Sequence, residues 1–251
     1  MAEARSQVFA PAATAGDTAL RRSPRRFYIV LSVLMTILIG WGFWPSYYGP
    51  LVHGVAQTPV VLHVHGVIFA GWMALLIAQV TLAASGRIRA HRALGKVGIG
   101  YGVLLLLVGL LVSFVAPVMH VHRGEWTIND AAAFVPIPLV DMVLFGAFFA
   151  AAVANRHRPE IHKRLMLVAT VSILFAAAFR LNAAGMPLLP ALALWFAPLI
   201  GAMAYDAWIR GRVHGVYWIG LAVLALSLLR LPLRTTDFWL GIGRPIFAAL
   251  T

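Results

Sequence analysis

Leu94-GKVGIGYGVLLLLVGLLVSFVAP-Val118 carries a single charge, Lys96, in 25 positions. About 20 consecutive apolar residues suffice to cross the ~30 Å hydrocarbon core of a bilayer, so this run reads as a membrane span. Working outward from it, comparable windows lie at Phe27–Tyr48, Val60–Ser85, Ala131–Ala154, Leu165–Met186, Leu188–Trp208 and Val213–Leu233. Lipid offers the backbone no hydrogen-bond partners, and none of these runs shows the in/out alternation of barrel strands, so each is expected to be a helix. The fold class is therefore all-α: a polytopic transmembrane bundle of seven spans, forming one unit over residues 27–251. A six-span alternative would merge the two runs around Met186–Pro190.

The basic residues set the expected orientation. With the N-terminus in the cytoplasm, Arg5, Arg21, Arg22, Arg25, Arg26, Arg87, Arg89, Arg92, Lys96, Arg156, Arg158, Lys163, Arg164, Arg210 and Arg212 fall inside, fifteen of the twenty Lys and Arg. Arg123, Arg180, Arg230, Arg234 and Arg244 fall in the outer half or outside, giving N-in and C-out. Residues 1–26, rich in Ala, Ser, Thr and Arg, read as a flexible basic cytoplasmic tail. A cleaved signal peptide is the competing reading for the first span. The bulky Trp41-GFWPSY-Tyr48 after it lacks a small-residue cleavage site, which favours retention. The longest outer connections, Pro45–Pro59 and His120–Asp130, carry His or aromatic residues suited to capping an outward-facing cavity.

The net charge of +12 does not imply nucleic acid. Its basic residues sit in short loops beside spans, where anionic lipid headgroups and the insertion machinery account for them. Absence of cysteine excludes disulfides, thiolate metal sites and a cysteine nucleophile. The only lysines are Lys96 and Lys163, so no retinal-type lysine stands in the last span, and no phosphate-binding loop is present.

Polar residues inside spans carry the functional signal, because burying a charge at a helix centre costs about 2.5–3.5 kcal/mol even on insertion scales. They are His63, His65, Gln79, Asp141, Arg180 and Asn182, with His91 and His162 at the inner entrances of their spans. At about 100° per residue, His65, Trp72 and Gln79 form one stripe and His63 points about 200° from His65, so one regular helix cannot offer both to one ion. Both can equally be interfacial histidines. His91, Gly95, Gly98, Gly102, Gly109, Ser113 and Ala116 form a smooth face. It serves either tight helix packing or a flat cofactor with His91 as metal ligand.

His162 enters its span from the same side as His91. Two imidazoles at similar depth on different helices suit the two axial positions of haem, with Arg92, Lys163 and Arg164 near its propionates. The same residues are also what positive-inside bias predicts. On the outer side, His65 has His120 or His122 as possible partners. Asp141 and Arg180 are expected either to neutralise each other or to serve chemistry, Arg180 binding an anionic group and Asp141 orienting it or relaying protons.

The pattern His65, Gly66, Trp72, Gln79, then His91-Arg-Ala-Leu-Gly95, then His162-Lys-Arg-Leu-Met166 and Arg180, resembles an uncharacterised group of bacterial multi-span proteins. That group is distantly similar to the membrane b-type cytochromes that carry two haems in a helical bundle. The resemblance covers residues 60–182. It implies haem b at an inner His91/His162 pair, electron transfer or membrane redox chemistry, a quinone or redox-protein partner and a bacterial inner-membrane location. The fourth span departs from the two-haem pattern, with Asp141 and no histidine, so an outer haem needs His65 with His120 or His122. The last two spans are unmatched.

Two other classes remain. His65, Asp141 and His53, His120 or His122 could form an outward-facing zinc or iron site with three protein ligands and an open position, His63 being a further candidate, acting on a lipid-soluble substrate. Pro136, Pro138, Pro190 and Pro198 interrupt spans as in transporters, but without an internal repeat.

Overall fold

The structure, a computed structural model, describes residues 15–54 and 58–251. The helices are α1 (Ala15–Phe43), α2 (Gly49–Val52), α3 (Val60–Ala84), α4 (Ile88–His122), α5 (Ile128–Phe134), α6 (Pro136–Ala154), α7 (Pro159–Ala183), α8 (Leu188–Arg210), α9 (Gly215–Ser227), α10 (Arg230–Leu233) and α11 (Asp237–Leu250). A π-helical turn at Trp44–Tyr48 joins α1 to α2. Among the described residues, seven segments are long and apolar enough to cross a membrane: Arg26–Val52, Val60–Ala84, Ile88–His122, Ile128–Ala154, Pro159–Ala183, Leu188–Arg210 and Gly215–Leu233. The protein is an all-α integral membrane protein, and the two runs around Met186–Pro190 are separate spans. Of the expected tail, residues 1–14 lie outside the described residues, and α1 already begins at Ala15.

α7 is the axis of the bundle. In its most apolar window 72% of residues are buried, against 17–39% in the other spans. Val168, Ala169, Val171, Leu174 and Ala177 are fully enclosed, and α1, α6, α8 and α9 pack around it. Small residues let these helices approach closely. A Cβ on Gly42 would lie 2.6 Å from that of Ala177, and one on Gly220 2.8 Å from Val168. The α3–α4 and α6–α7 hairpins are tight, and their turns fall at the same end as those joining α8 to α9. Gly211 caps α8 with φ of +68°, a left-handed conformation that a side chain would strain.

The smooth face of α4 serves two purposes. Gly102 lies against the Phe149 ring and Gly109 against Met142, which is helix packing. Gly95 and Gly98 instead border a cavity, beside the side chains of Gln79 and Leu75.

The sequence reading stopped at Leu233, and the structure adds α11. Thr236 caps it by accepting from Trp239 N at 3.4 Å. Phe247 and Gly243 bury against α5, while Trp239 Nε1 donates to the Ala132 carbonyl at 2.7 Å.

Candidate functional site

A cavity of about 510 Å³ lies at the arginine-rich end, where the first turns of α4 and α7 meet the last turns of α3, α6 and α8 and the start of the first span. It does not lie beneath the loops 45–59 and 120–130. Its volume is within the ~300–1,000 Å³ of small-molecule and cofactor sites. Trp72, Leu75, Phe149 and Met166 supply apolar walls, Gly95 and Gly98 leave one wall without side chains, and His91, His162, Gln79 and Lys163 bring polar groups.

His91 and His162 occupy equivalent places. Each is the fourth residue of the second helix of a hairpin, and each reaches back across the hairpin to a carbonyl. His91 Nδ1 lies 3.2 Å from the Gln79 backbone oxygen, and His162 Nδ1 2.8 Å from that of Ala152. The Ala152 carbonyl belongs to the last turn of α6, where carbonyls lack intrahelical partners, so His162 fills a vacancy that every helix end creates. With Nδ1 engaged, the nitrogen left to each ring is Nε2. Both rings line the one cavity and are close enough to interact electrostatically.

The cavity rim is a charge cluster only partly visible in the sequence. Arg164, 0% exposed, donates from Nε to Asp206 Oδ2 at 2.8 Å and from Nη2 to Oδ1 at 2.5 Å. Its Nη1 reaches the Glu160 carbonyl at 2.6 Å and carboxylate at 2.8 Å. Glu160 also accepts from Lys163, at 2.9 Å, and from Arg210. Among the described residues, three cations thus share two carboxylates. Arg164 is therefore an anchor of the helix packing, and of the three basic residues expected near propionates only Lys163 lines the cavity; Arg92 is exposed outside it. Asp206 and Glu160 were missed. The signal for Asp206 was available: an acid inside an apolar span is costly unless partnered.

Beyond the rim, His214 caps α9 by accepting from Val216 N at 3.2 Å. Burial, with the Arg164 charge second, holds its pKa below the usual histidine value.

At the opposite end the structure corrects one expectation. Asp141 pairs with Arg230, not Arg180: Arg230 Nη1 donates to Asp141 Oδ1 at 2.6 Å and to the Ile137 carbonyl at 3.1 Å. The two are 2% and 5% exposed. The Arg230 guanidinium stacks 4.0 Å from the Phe175 ring, with Nε and Nη2 buried and unpartnered. Arg180 lies 4.2 Å over the Phe43 ring and donates to the Ala176 carbonyl at 3.3 Å. No carboxylate lies within ion-pairing distance of it among the described residues.

The far-end histidines are dispersed. His63 Nδ1 is 2.8 Å from Tyr47 Oη. His65 packs on Phe69 with its Nδ1 buried and unpartnered, within electrostatic reach of Arg180. His120 pairs with Glu125 at 2.5 Å and stacks on Trp126, and His53 is exposed. Among the described residues, no three His, Asp or Glu side chains gather as a metal site. Compared with protein-family models, curated proteins and solved structures, the chain finds no match.

Proposed function

We propose that the chain is a membrane b-type haem protein acting in electron transfer, in which His91 and His162 would hold one haem b. The observation that carries this reading is the pair of histidines: each holds its Nδ1 against the other arm of its hairpin, His162 on the Ala152 carbonyl and His91 on Gln79, and both line the same cavity. A ligating histidine has this arrangement, because a hydrogen bond at the other nitrogen sets the tautomer and the ring orientation.

The remaining residues fit the group. A flat ring needs a wall without side chains, which Gly95 and Gly98 supply, and apolar flanks, which Trp72, Leu75, Phe149 and Met166 supply. Propionates need cationic partners, and Lys163 and Arg210 line the cavity, both paired with Glu160, which lines it together with Asp206. When bound, haem supplies one-electron chemistry. The chain's own residues orient the ligands, exclude water through the apolar walls and neutralise charge at the rim.

The reading assigns one haem, at the inner pair; at the far end His120 pairs with Glu125 and stacks on Trp126, and His122 is exposed. The zinc or iron alternative loses Asp141 to Arg230. With the N-terminus inside, the cavity opens toward the cytoplasmic leaflet of a bacterial inner membrane, where a quinone or a redox protein is the partner class.

The test is an absorption spectrum of detergent-purified protein expressed with ample haem, air-oxidised and then dithionite-reduced. A Soret band with sharp reduced α and β bands is expected. A featureless spectrum overturns the reading.

A further inference from the structure

We infer that Gln79 is a positioning residue which sets the tautomer of His91, and thereby its strength as a ligand, through the orientation of its side-chain amide. The inference rests on the haem reading above. His162 faces a backbone carbonyl, which can only accept, so its Nδ1 is fixed as a donor. His91 has a second neighbour. The terminal amide of Gln79 lies against the first turn of α4, 2.6 Å from His91 Nδ1.

That amide has two orientations with opposite consequences. With its nitrogen toward His91, it donates to Nδ1 and, at 3.1 Å, to the His91 carbonyl, while its oxygen accepts from Gly95 N at 2.8 Å. His91 then keeps its proton on Nε2 and has no lone pair to offer the cavity. With the amide turned over, its oxygen accepts from Nδ1–H, as does the Gln79 backbone oxygen at 3.2 Å. That side-chain oxygen also faces the His91 carbonyl oxygen at 3.1 Å, and the amide nitrogen faces Gly95 N at 2.8 Å. Nε2 is then free to ligate. Coordination at Nε2 therefore selects the second orientation against those two contacts, and loss of the ligand restores the first, which is free of them. Of the two imidazoles, one is set by the main chain and the other by a side chain that mutation can change.

The experiment is a spectroelectrochemical titration of the haem-loaded wild type, Gln79→Glu and Gln79→Met. A stronger acceptor on Nδ1–H makes the imidazole more basic and favours the oxidised iron. The midpoint potential is expected to fall in Gln79→Glu and to rise in Gln79→Met, with bis-histidine spectra retained. Shifts of one sign, or no shift, overturn the inference and leave the haem reading standing, whereas a wild type without haem overturns that reading itself. A second measurement covers variants that fail to load. In His91→Gly protein, free imidazole can donate to Gln79 and 1-methylimidazole cannot, so imidazole is expected to give the lower potential. The gap should shrink when Gln79→Met is added. Equal potentials for the two ligands in His91→Gly, or an undiminished gap with Gln79→Met, overturn the inference.

Discussion

The two ends of the bundle bury ionisable residues in contrasting ways. At the arginine-rich end, charges are pooled: Glu160, Lys163, Arg164, Asp206 and Arg210 share their partners around the rim of a 510 Å³ cavity, and two histidines are held by carbonyls. At the far end, Asp141 and Arg230 close on each other, Arg180 rests on a phenylalanine ring, and His65 has a buried nitrogen without a partner. Pooled charge around open space suits a guest, because a shared network can admit one more anion. Isolated pairs in packed surroundings suit helix assembly. Buried polar residues in spans thus have two settings, one bordering open space and one closed within helix packing.

The largest expected effect separates the ends spectroscopically. His91→Ala and His162→Ala should each remove essentially all low-spin haem absorbance, and Asp141→Asn should leave it intact. Full spectra from both histidine variants would place the site elsewhere.

Next, the far-end pair should matter for stability alone. Asp141→Leu leaves the Arg230 charge buried and uncompensated, which costs about 3–5 kcal/mol, while Asp141→Leu with Arg230→Met should recover most of the loss. Thermal unfolding in detergent measures both, and a double variant no better than the single one would show that the pair does more than neutralise itself.

The α4 face offers a finer comparison. Gly109→Ala drives a methyl into Met142 and Gly102→Ala one into Phe149, each expected to cost about 1–3 kcal/mol as overpacking. In Gly95→Ala the added methyl meets nothing closer than the Gln79 amide at 3.6 Å, so the melting temperature should hold. Equal destabilisation at all three positions would mean that the face has one role.

The smallest effect concerns His214. Its pKa is held below the unfolded value, so the native state binds fewer protons than the unfolded one and stability rises with pH. The cap on Val216 N is present above the ordinary histidine pKa and weakens as pH falls through it and toward the lower native value. A modest loss of stability below about pH 6.5, absent in His214→Asn, is the expected result.

Span number and placement were legible in the sequence because lipid enforces length and apolarity one helix at a time. Pairings were not, because they depend on which helix faces which. Asp141 had two arginines within spans on its side, Arg180 and Arg230, and the apolar pattern of the fourth and seventh spans gives no hint that Arg230 is the nearer. The small-residue face of α4 showed that something approaches closely but not that its two halves meet different things. α11 escaped notice because 14 residues are too few for a span, although Thr236-Asp237 ahead of an apolar stretch is a helix-start signal. The His91/His162 pair was legible because both hairpins write it alike, as His-Arg-Ala-Leu94 and His-Lys-Arg-Leu165.

α4 runs for 35 residues, about 50 Å at 1.5 Å per residue, well beyond the ~30 Å of hydrocarbon it crosses. His91 stands in its first turn and His162 in the first turn of α7. Both imidazoles therefore lie near one face of the bilayer rather than at its centre. On the proposed haem reading, an electron taken up there from the same side would traverse little of the transmembrane voltage, whose full drop is worth about 2.3 kcal/mol per charge per 100 mV. The energised state of the membrane should accordingly leave the driving force of that step almost unchanged.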